Sequence, residues 1–523
     1  MSDASAESSR FSLSARWRGA DLAEKAWWLG VAAVALLVVG AGWYQAWAVS
    51  PYRLTDEQAH IGYVLDLQRG ELPTIDGRIP VEDGGAELQE HYDLTKSRYG
   101  DVWVANNPPL AYLAFVPPAA LTRALGWPGG PLMGVRLANV AFFGLAVAMA
   151  ARLGRRLGGG DRRIGLVAAG MLAAVPHVGV IAGAAFVDGL ALVCLVGLFD
   201  ALVAISERGP TRRQIVILSA WCALAAGVRP MTAVVAVVAG GLAMAITVLR
   251  WWRARRAGAP RRKVGVIWAG LVLTLPTLII DGWFYARSQH LYGDPTGSDR
   301  LFDKFGLVAR AGPITALTTP SIWAKSARTL LNRKVQNDVP GPPLTWWTVT
   351  TWVLAILVVA GIGLIVWDQV RSRRDHTRPR SPALGWACVA AGAAASVVLA
   401  AQHWSGGGTI HPRYLFPALV VLLALVAIPL VRIGTVWAGL GAVFVLVALA
   451  AHETPAQNRF YTATKLAKHL SSPLTQSIGP PWLRYAGAAM VAVALVALTV
   501  SLFLLRSDQP PSSATAPTPT TAP

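Results

Sequence analysis

Trp47-Ala48-Val49-Ser50-Pro51-Tyr52-Arg53-Leu54-Thr55-Asp56-Glu57-Gln58-Ala59-His60 marks a boundary in the chain. Ahead of it runs the first long apolar segment, roughly 26 to 49, about the length that spans a bilayer. Two acids and a histidine follow at once. Carboxylates are costly in lipid and ordinary in water, so they mark the place where the chain leaves the membrane and where chemistry could meet a membrane-held substrate. Thr55 and Gln58 fit a capping box with Thr55 as N-cap. Asp56 and Glu57 then fall in the first turn, where the helix dipole favours negative charge. Asp56 and His60, four apart, share a face. Gly70 is placed to end this short helix. The plainer alternative is that both acids only cap a helix.

Composition points the same way. Of 523 residues 54% are hydrophobic and 14% charged, too little charge for the surface of a soluble protein of this size. Pairs such as Trp27-Trp28, Trp251-Trp252 and Trp346-Trp347 flank apolar runs, as interfacial tryptophans do. The net charge of +19 is carried by short basic loops between spans. That is the positive-inside pattern, and no basic-aromatic array suggests nucleic acid. Cys194, Cys222 and Cys388 lie in apolar segments without paired spacing, so neither a disulfide framework nor a zinc site is indicated. The first apolar run is too long for a signal peptide and is expected to stay as span 1.

The fold class expected is an all-α polytopic membrane protein with about twelve transmembrane helices. Residues 1–25 form a cytoplasmic segment and 26–506 the membrane domain. The first outer loop, 51–130, is acidic and carries juxtamembrane helices. One of these, opening at Asn107-Pro108-Pro109-Leu110 and running to about Leu125, is expected to lie in or dip into the interface. Further outer loops are expected at 285–345 and 452–481. Spans 5 and 6 meet at Val228-Arg229-Pro230 with almost no loop. The tail 507–523, rich in Pro, Ser, Thr and Ala, cannot build a core.

Every large polar excursion is thus outside, and a site is expected to face outward. Asp56, Glu57 and His60 follow span 1; Asp188 opens span 4; Arg229 lies between spans 5 and 6; His411, Arg413 and Tyr414 open span 10. Arg229 and Arg413 break the positive-inside trend, and arginine presents a planar fork that matches phosphate oxygens. A carboxylate beside arginines at the lipid boundary suits transfer from a lipid-linked phosphate. The bland alternatives are snorkelling arginines and a helix-capping Asp188. His60 and His411 lack HExxH-type spacing, so no metal ligands are assigned.

The order of these features resembles the GT-C glycosyltransferases, multi-pass enzymes that use polyprenyl-phosphate sugars, and within them a bacterial branch. Asp56-Glu57-Gln58-Ala59-His60 with Gly70-Glu71-Leu72-Pro73 is similar to their acidic first outer loop. Asn107-Pro108-Pro109-Leu110-Ala111-Tyr112 is similar to their His-Pro-Pro-Leu-x-Tyr segment, with Asn107 in place of the histidine. Arg136-Leu137-Ala138-Asn139, Val187-Asp188, Val228-Arg229-Pro230 and His411-Pro412-Arg413-Tyr414 follow in order.

The resemblance implies Asp56 as catalytic base of an inverting displacement, with Glu57 as understudy. Asp188 would orient the acceptor or assist a divalent metal, if one binds. Arg229, Arg413 and Tyr414 would hold the lipid phosphate; His60, Asn107 and His411 would line the substrate site. The implied partners are a polyprenyl-phosphate-linked sugar, a cell-envelope glycan, lipid or protein acceptor, and membrane lipids, at the plasma membrane. The competing functions are a transporter or flippase of lipid-linked substrates and a non-catalytic scaffold.

Overall fold

The computed structural model describes residues 21–49, 56–80, 100–257, 265–331, 344–376, 382–463 and 479–506. Among them the chain is helical, apart from an isolated antiparallel bridge between Arg78 and Asp101. Residues 1–20, part of the segment expected in the cytoplasm, the tail 507–523 and the acidic stretch 81–99 lie outside the described residues.

In chain order the helices are α1 (Leu22–Ala48), α2 (Glu57–Gln68), α3 (Leu110–Ala124), α4 (Gly130–Leu157), α5 (Arg162–Ala174), α6 (Pro176–Ala182), α7 (Asp188–Arg208), α8 (Arg212–Ala226) and α9 (Pro230–Arg256). Then come α10 (Val266–Tyr292), α11 (Ser298–Phe305), α12 (Pro313–Thr318), α13 (Pro320–Leu331), α14 (Leu344–Arg374), α15 (Ala383–Ser405), α16 (Phe416–Arg432), α17 (Val436–Ala463) and α18 (Pro481–Leu505). Their ends follow local chemistry. Asp21 caps α1 through the Glu24 amide at 2.6 Å. Thr211 and Gln214 form a full capping box on α8. Pro176 forces Val175 out of helical geometry, and α5 and α6 bend by 68° there.

All twelve expected segments fall on helices, but the count of crossings changes. Among the described residues nine helices are long and apolar enough to cross a membrane, ten if the bent α5–α6 pair is one span. Helix α8, at 15 residues, and the apolar part of α17, Val436–Ala451, fall short of the roughly 20 residues a span needs. Helix α17 runs on to Ala463, inside what the sequence reading gave to a loop. Helix α3 also has only 15 residues and, as expected, is too short to cross. It leaves Leu113 and Leu121 exposed and packs on α4, where a side chain at Gly134 would meet the Pro118 carbonyl oxygen at 2.4 Å.

Helix α7 sits in the middle, buried on nearly all sides against α4, α8, α9 and α15. A helix that is apolar all round belongs there. Helix α1 packs along α18 and α4. Helix α14 lies at the periphery and exposes Trp352, Ile356 and Val359, as a lipid-facing surface does.

Candidate functional site

The site begins with two side chains one turn apart on α4. Arg136 is fully buried. Its Nη1 donates to the carbonyls of Ala46 at 2.8 Å and Val49 at 2.9 Å, which holds the end of α1. Its Nε and Nη2 donate to both oxygens of Glu57, at 2.8 and 2.7 Å. Glu57 Oε1 also accepts the Ala185 amide at 2.9 Å. Asn139 Nδ2 donates to the carbonyls of Ile181 at 2.8 Å and Ala184 at 2.9 Å, and its Oδ1 accepts the Gly189 amide at 2.9 Å. A Cβ at Gly189 would meet Asn139 Oδ1 at 2.5 Å, so glycine is needed beside Asp188. One face of α4 therefore fixes the residues next to both acids.

The predicted N-cap Thr55 lies outside the described residues; α2 starts at Glu57, and Asp56 occupies the cap position. Asp56 has φ of +80° and makes no side-chain capping bond. Positive φ is uncommon for a residue other than glycine, and such conformations gather at functional sites. The Asp56 carboxylate is thus turned away from its own helix.

Arg413 reaches it from a distant segment and links it to Asp188 and Arg229. Arg413 Nη2 donates to Asp56 Oδ2 at 2.8 Å, and Nη1 stands 3.9 Å from Asp188 Oδ2. Arg229 Nη1 donates to Asp188 Oδ1 at 2.5 Å. Arg229 is extended, as the following Pro230 requires. The Arg413 guanidinium lies 4.7 Å over the Phe186 ring. Asp56, Arg229 and Arg413 all line a cavity of about 540 Å³, with His60, Asn107 and Tyr414.

Three expected site residues stand elsewhere. Glu57, the understudy base, is fully buried, and both its oxygens are committed to Arg136 and the Ala185 amide. Asp188 is 3% exposed and lies behind the arginines as their counter-ion, off the cavity wall. His411 is also off the wall, its ring 5.6 Å from that of Tyr414. Burial and the charge of Arg413 push His411 down to about 4.

The opposite wall falls in the outer loops 51–130 and 285–345 expected from the sequence, although none of its residues but Asn107 was singled out there. It comes from Asp294, Thr296, Ser298, Asp299 and Phe302, around the start of α11, and from Trp103 and Asn106. Asp294 ties down the turn that leads into α11 by accepting the Ser298 amide at 2.6 Å. Arg300 Nε and Lys304 Nζ bind Asp76 at 2.9 and 3.0 Å, and Lys304 Nζ also binds Asp101 at 2.5 Å. Arg310 donates to the Ser405 and Gly408 carbonyls through its amide and its side chain. Alternating charges in 71–101 and 298–304 were the available signal, but pairing across more than 200 positions leaves no periodicity. Asp281, inside a span, was also missed. It is 4% exposed, its Oδ2 has no partner, and it abuts Gly227, two residues before Arg229.

For a divalent metal the donors do not fit. Asp56 and Asp188 are both held by arginines, whose charge repels a cation. Among the described residues no cluster of three or more His, Cys, Asp or Glu side chains could hold one.

No known family profile and no curated protein matches the chain. Solved structures do. ArnT from Cupriavidus metallidurans in the apo state is similar with a TM-score of 0.45 and 16% identity, over 93% of this chain and 78% of that one. The archaeal oligosaccharyltransferase AglB from Archaeoglobus fulgidus, in complex with an inhibitory peptide and a dolichol-phosphate, gives 0.35 and 12%, over 91% of this chain. The chain spans about half of that protein, 55% of its length. Likeness this distant says nothing of chemistry, which must come from the residues of the cavity.

Proposed function

We propose that this chain is a membrane glycosyltransferase of the GT-C type. It would transfer a sugar from a polyprenyl-phosphate donor to a cell-envelope acceptor on the outer face of the plasma membrane. The observation that carries this reading is the shared cavity: Asp56, Arg229 and Arg413 line it together although they come from three separate parts of the chain.

The chemistry follows from what these groups can do. The donor phosphate binds Arg413 and Arg229, whose forks suit its oxygens. Asp56 accepts the proton of the acceptor hydroxyl. The hydroxyl oxygen bonds to the anomeric carbon as the bond from that carbon to the phosphate oxygen breaks. The electron pair stays on the polyprenyl phosphate, where the arginines stabilise it. One displacement of this kind inverts the anomeric centre. Asp188 keeps both arginines in place from behind. The hydroxyls and amides of the α11 wall face the sugar and acceptor.

The test is transfer by the purified full chain in proteoliposomes, with labelled polyprenyl-phosphate sugars and an envelope extract as acceptor source. Label in the acceptor, with release of polyprenyl phosphate, supports the reading. Translocation of the lipid-linked sugar without transfer, from any donor tried, overturns it in favour of a flippase.

A further inference from the structure

Behind His60 runs a string of hydrogen bonds closed to solvent. Tyr112 Oη is 2.8 Å from His60 Nδ1. Asn107 Nδ2 lies 3.4 Å from the same oxygen and donates to the Val104 carbonyl at 3.0 Å. Tyr63 Oη donates to the Asn107 carbonyl at 3.1 Å, and its ring stacks on that of Tyr112 at 3.8 Å. Tyr63 and Tyr112 are fully buried and His60 is 2% exposed.

The directions of these bonds are determined. A carbonyl can only accept, so the Asn107 edge that faces Val104 is its NH₂ group. That group then donates to the Tyr112 oxygen as well. A hydrogen on His60 Nδ1 would leave the hydroxyl hydrogen of buried Tyr112 without an acceptor, so the arrangement that satisfies every group has Tyr112 donating to His60 Nδ1. A neutral imidazole that accepts at Nδ1 carries its hydrogen on Nε2. The remaining surroundings keep the ring neutral. Burial comes first, then the charges of Arg229 and Arg413, and together they hold His60 well below its usual range. The nearby carboxylates, Asp56 and Asp188, are both engaged by those arginines. His60 still reaches the cavity wall.

We propose that His60 acts as a neutral donor, offering Nε2–H to a phosphate oxygen of the substrate, and that Tyr112 is the positioning residue that fixes this tautomer. The choice of ligand rests on the transfer reading above; the tautomer does not. A neutral donor suits the place. It adds a directed bond beside two arginines without a third positive charge, which would hold the product phosphate as tightly as the transition state. Nor does it compete with Arg413 for Asp56.

The experiment uses the full chain with ¹⁵N-labelled histidine in detergent, and the signal lost in His60→Gln identifies the residue. Expected are nitrogen shifts of a neutral, Nε2-protonated ring, unchanged between about pH 5 and pH 8. In Tyr112→Phe the same signal becomes a mixture of tautomers or begins to titrate. Titration in the unaltered chain, or no change in Tyr112→Phe, overturns the tautomer assignment. The second arm measures binding of citronellyl phosphate, a short isoprenyl phosphate. His60→Phe should weaken it roughly tenfold, the usual worth of a hydrogen bond to a charged group. His60→Gln should restore most of that, because its amide N–H sits where Nε2–H does. Equal binding by His60→Phe and the unaltered chain overturns the donor role. Failure of the unaltered chain to bind the probe overturns the lipid-phosphate reading, while the nitrogen shifts still decide the tautomer.

Discussion

Asp56 and Arg413 lie 357 positions apart in the chain, and their side chains meet at 2.8 Å on the wall of the cavity. The Arg413 fork is divided, one nitrogen on Asp56 and the other turned toward Asp188. Arg229 holds the far oxygen of Asp188. On the proposed reading, an arriving phosphate would compete with Asp56 for Arg413, and its binding would free the carboxylate for the acceptor hydroxyl.

Asp56→Asn keeps the shape of the side chain and removes its capacity to take a proton. Transfer is expected to fall about 10²- to 10⁴-fold, the range for loss of a general base. Asp56 is part-exposed and Arg413 retains Asp188, so the melting temperature should move little. Initial rates in proteoliposomes and a thermal melt of the same sample check this. A rate within a few-fold of the unaltered chain would remove Asp56 from the mechanism.

Arg413→Lys and Arg229→Lys keep the charge but lose the planar fork. The expected change is a rise of about tenfold or more in the apparent KM for the lipid donor, with folding preserved. Arg413→Lys should be the worse, since that side chain also orients Asp56. Donor titrations for the two variants measure the order.

Glu57 and Arg136 form a fully buried pair. Removing one partner leaves the other charged in an apolar site, at about 3–5 kcal/mol. Glu57→Gln and Arg136→Met are both expected to destabilise strongly, and Glu57→Gln/Arg136→Met together to recover part of the loss. Detergent-solubilised thermal stability reads this out. If Glu57→Gln instead folds normally and loses only transfer, Glu57 is a base after all.

The clamp between α11 and the first loop should respond to acid. Burial pushes the Asp76 carboxyl up, but hydrogen bonds from Arg300 and Lys304 outweigh it and hold it below the usual carboxylate range. A carboxyl depressed in the fold contributes stability above its unfolded pKa, and that contribution is lost as pH falls through the native value. The clamp should therefore hold at neutral pH and loosen below about pH 4. Hydrogen exchange, corrected for its intrinsic pH dependence, should rise in segments 71–80 and 298–305. Lys304→Ala should produce the same loosening at neutral pH.

Much of the fold could be read from the chain because membrane spans declare themselves locally. Apolar runs bounded by Arg and Trp gave every helical segment of the bundle, and Gly70, at φ of +77°, ends α2 as expected. Asp56, His60, Asn107, Arg229, Arg413 and Tyr414, singled out because charge or polarity at a span's end is conspicuous against lipid, all line one cavity. The roles of Glu57 and Asp188 could not be read, because burial is decided by what packs on a residue and not by its neighbours in sequence. Arg136 covers the one and Arg229 the other. The wall built by α11, its ion pairs to Asp76 and Asp101, and the string from Tyr63 to His60 join residues tens to hundreds of positions apart. Contacts of that kind leave no local pattern: sequence set the spans and the polar groups at their ends, and only the packing of helices decided which acid faces the cavity and which is sealed behind it.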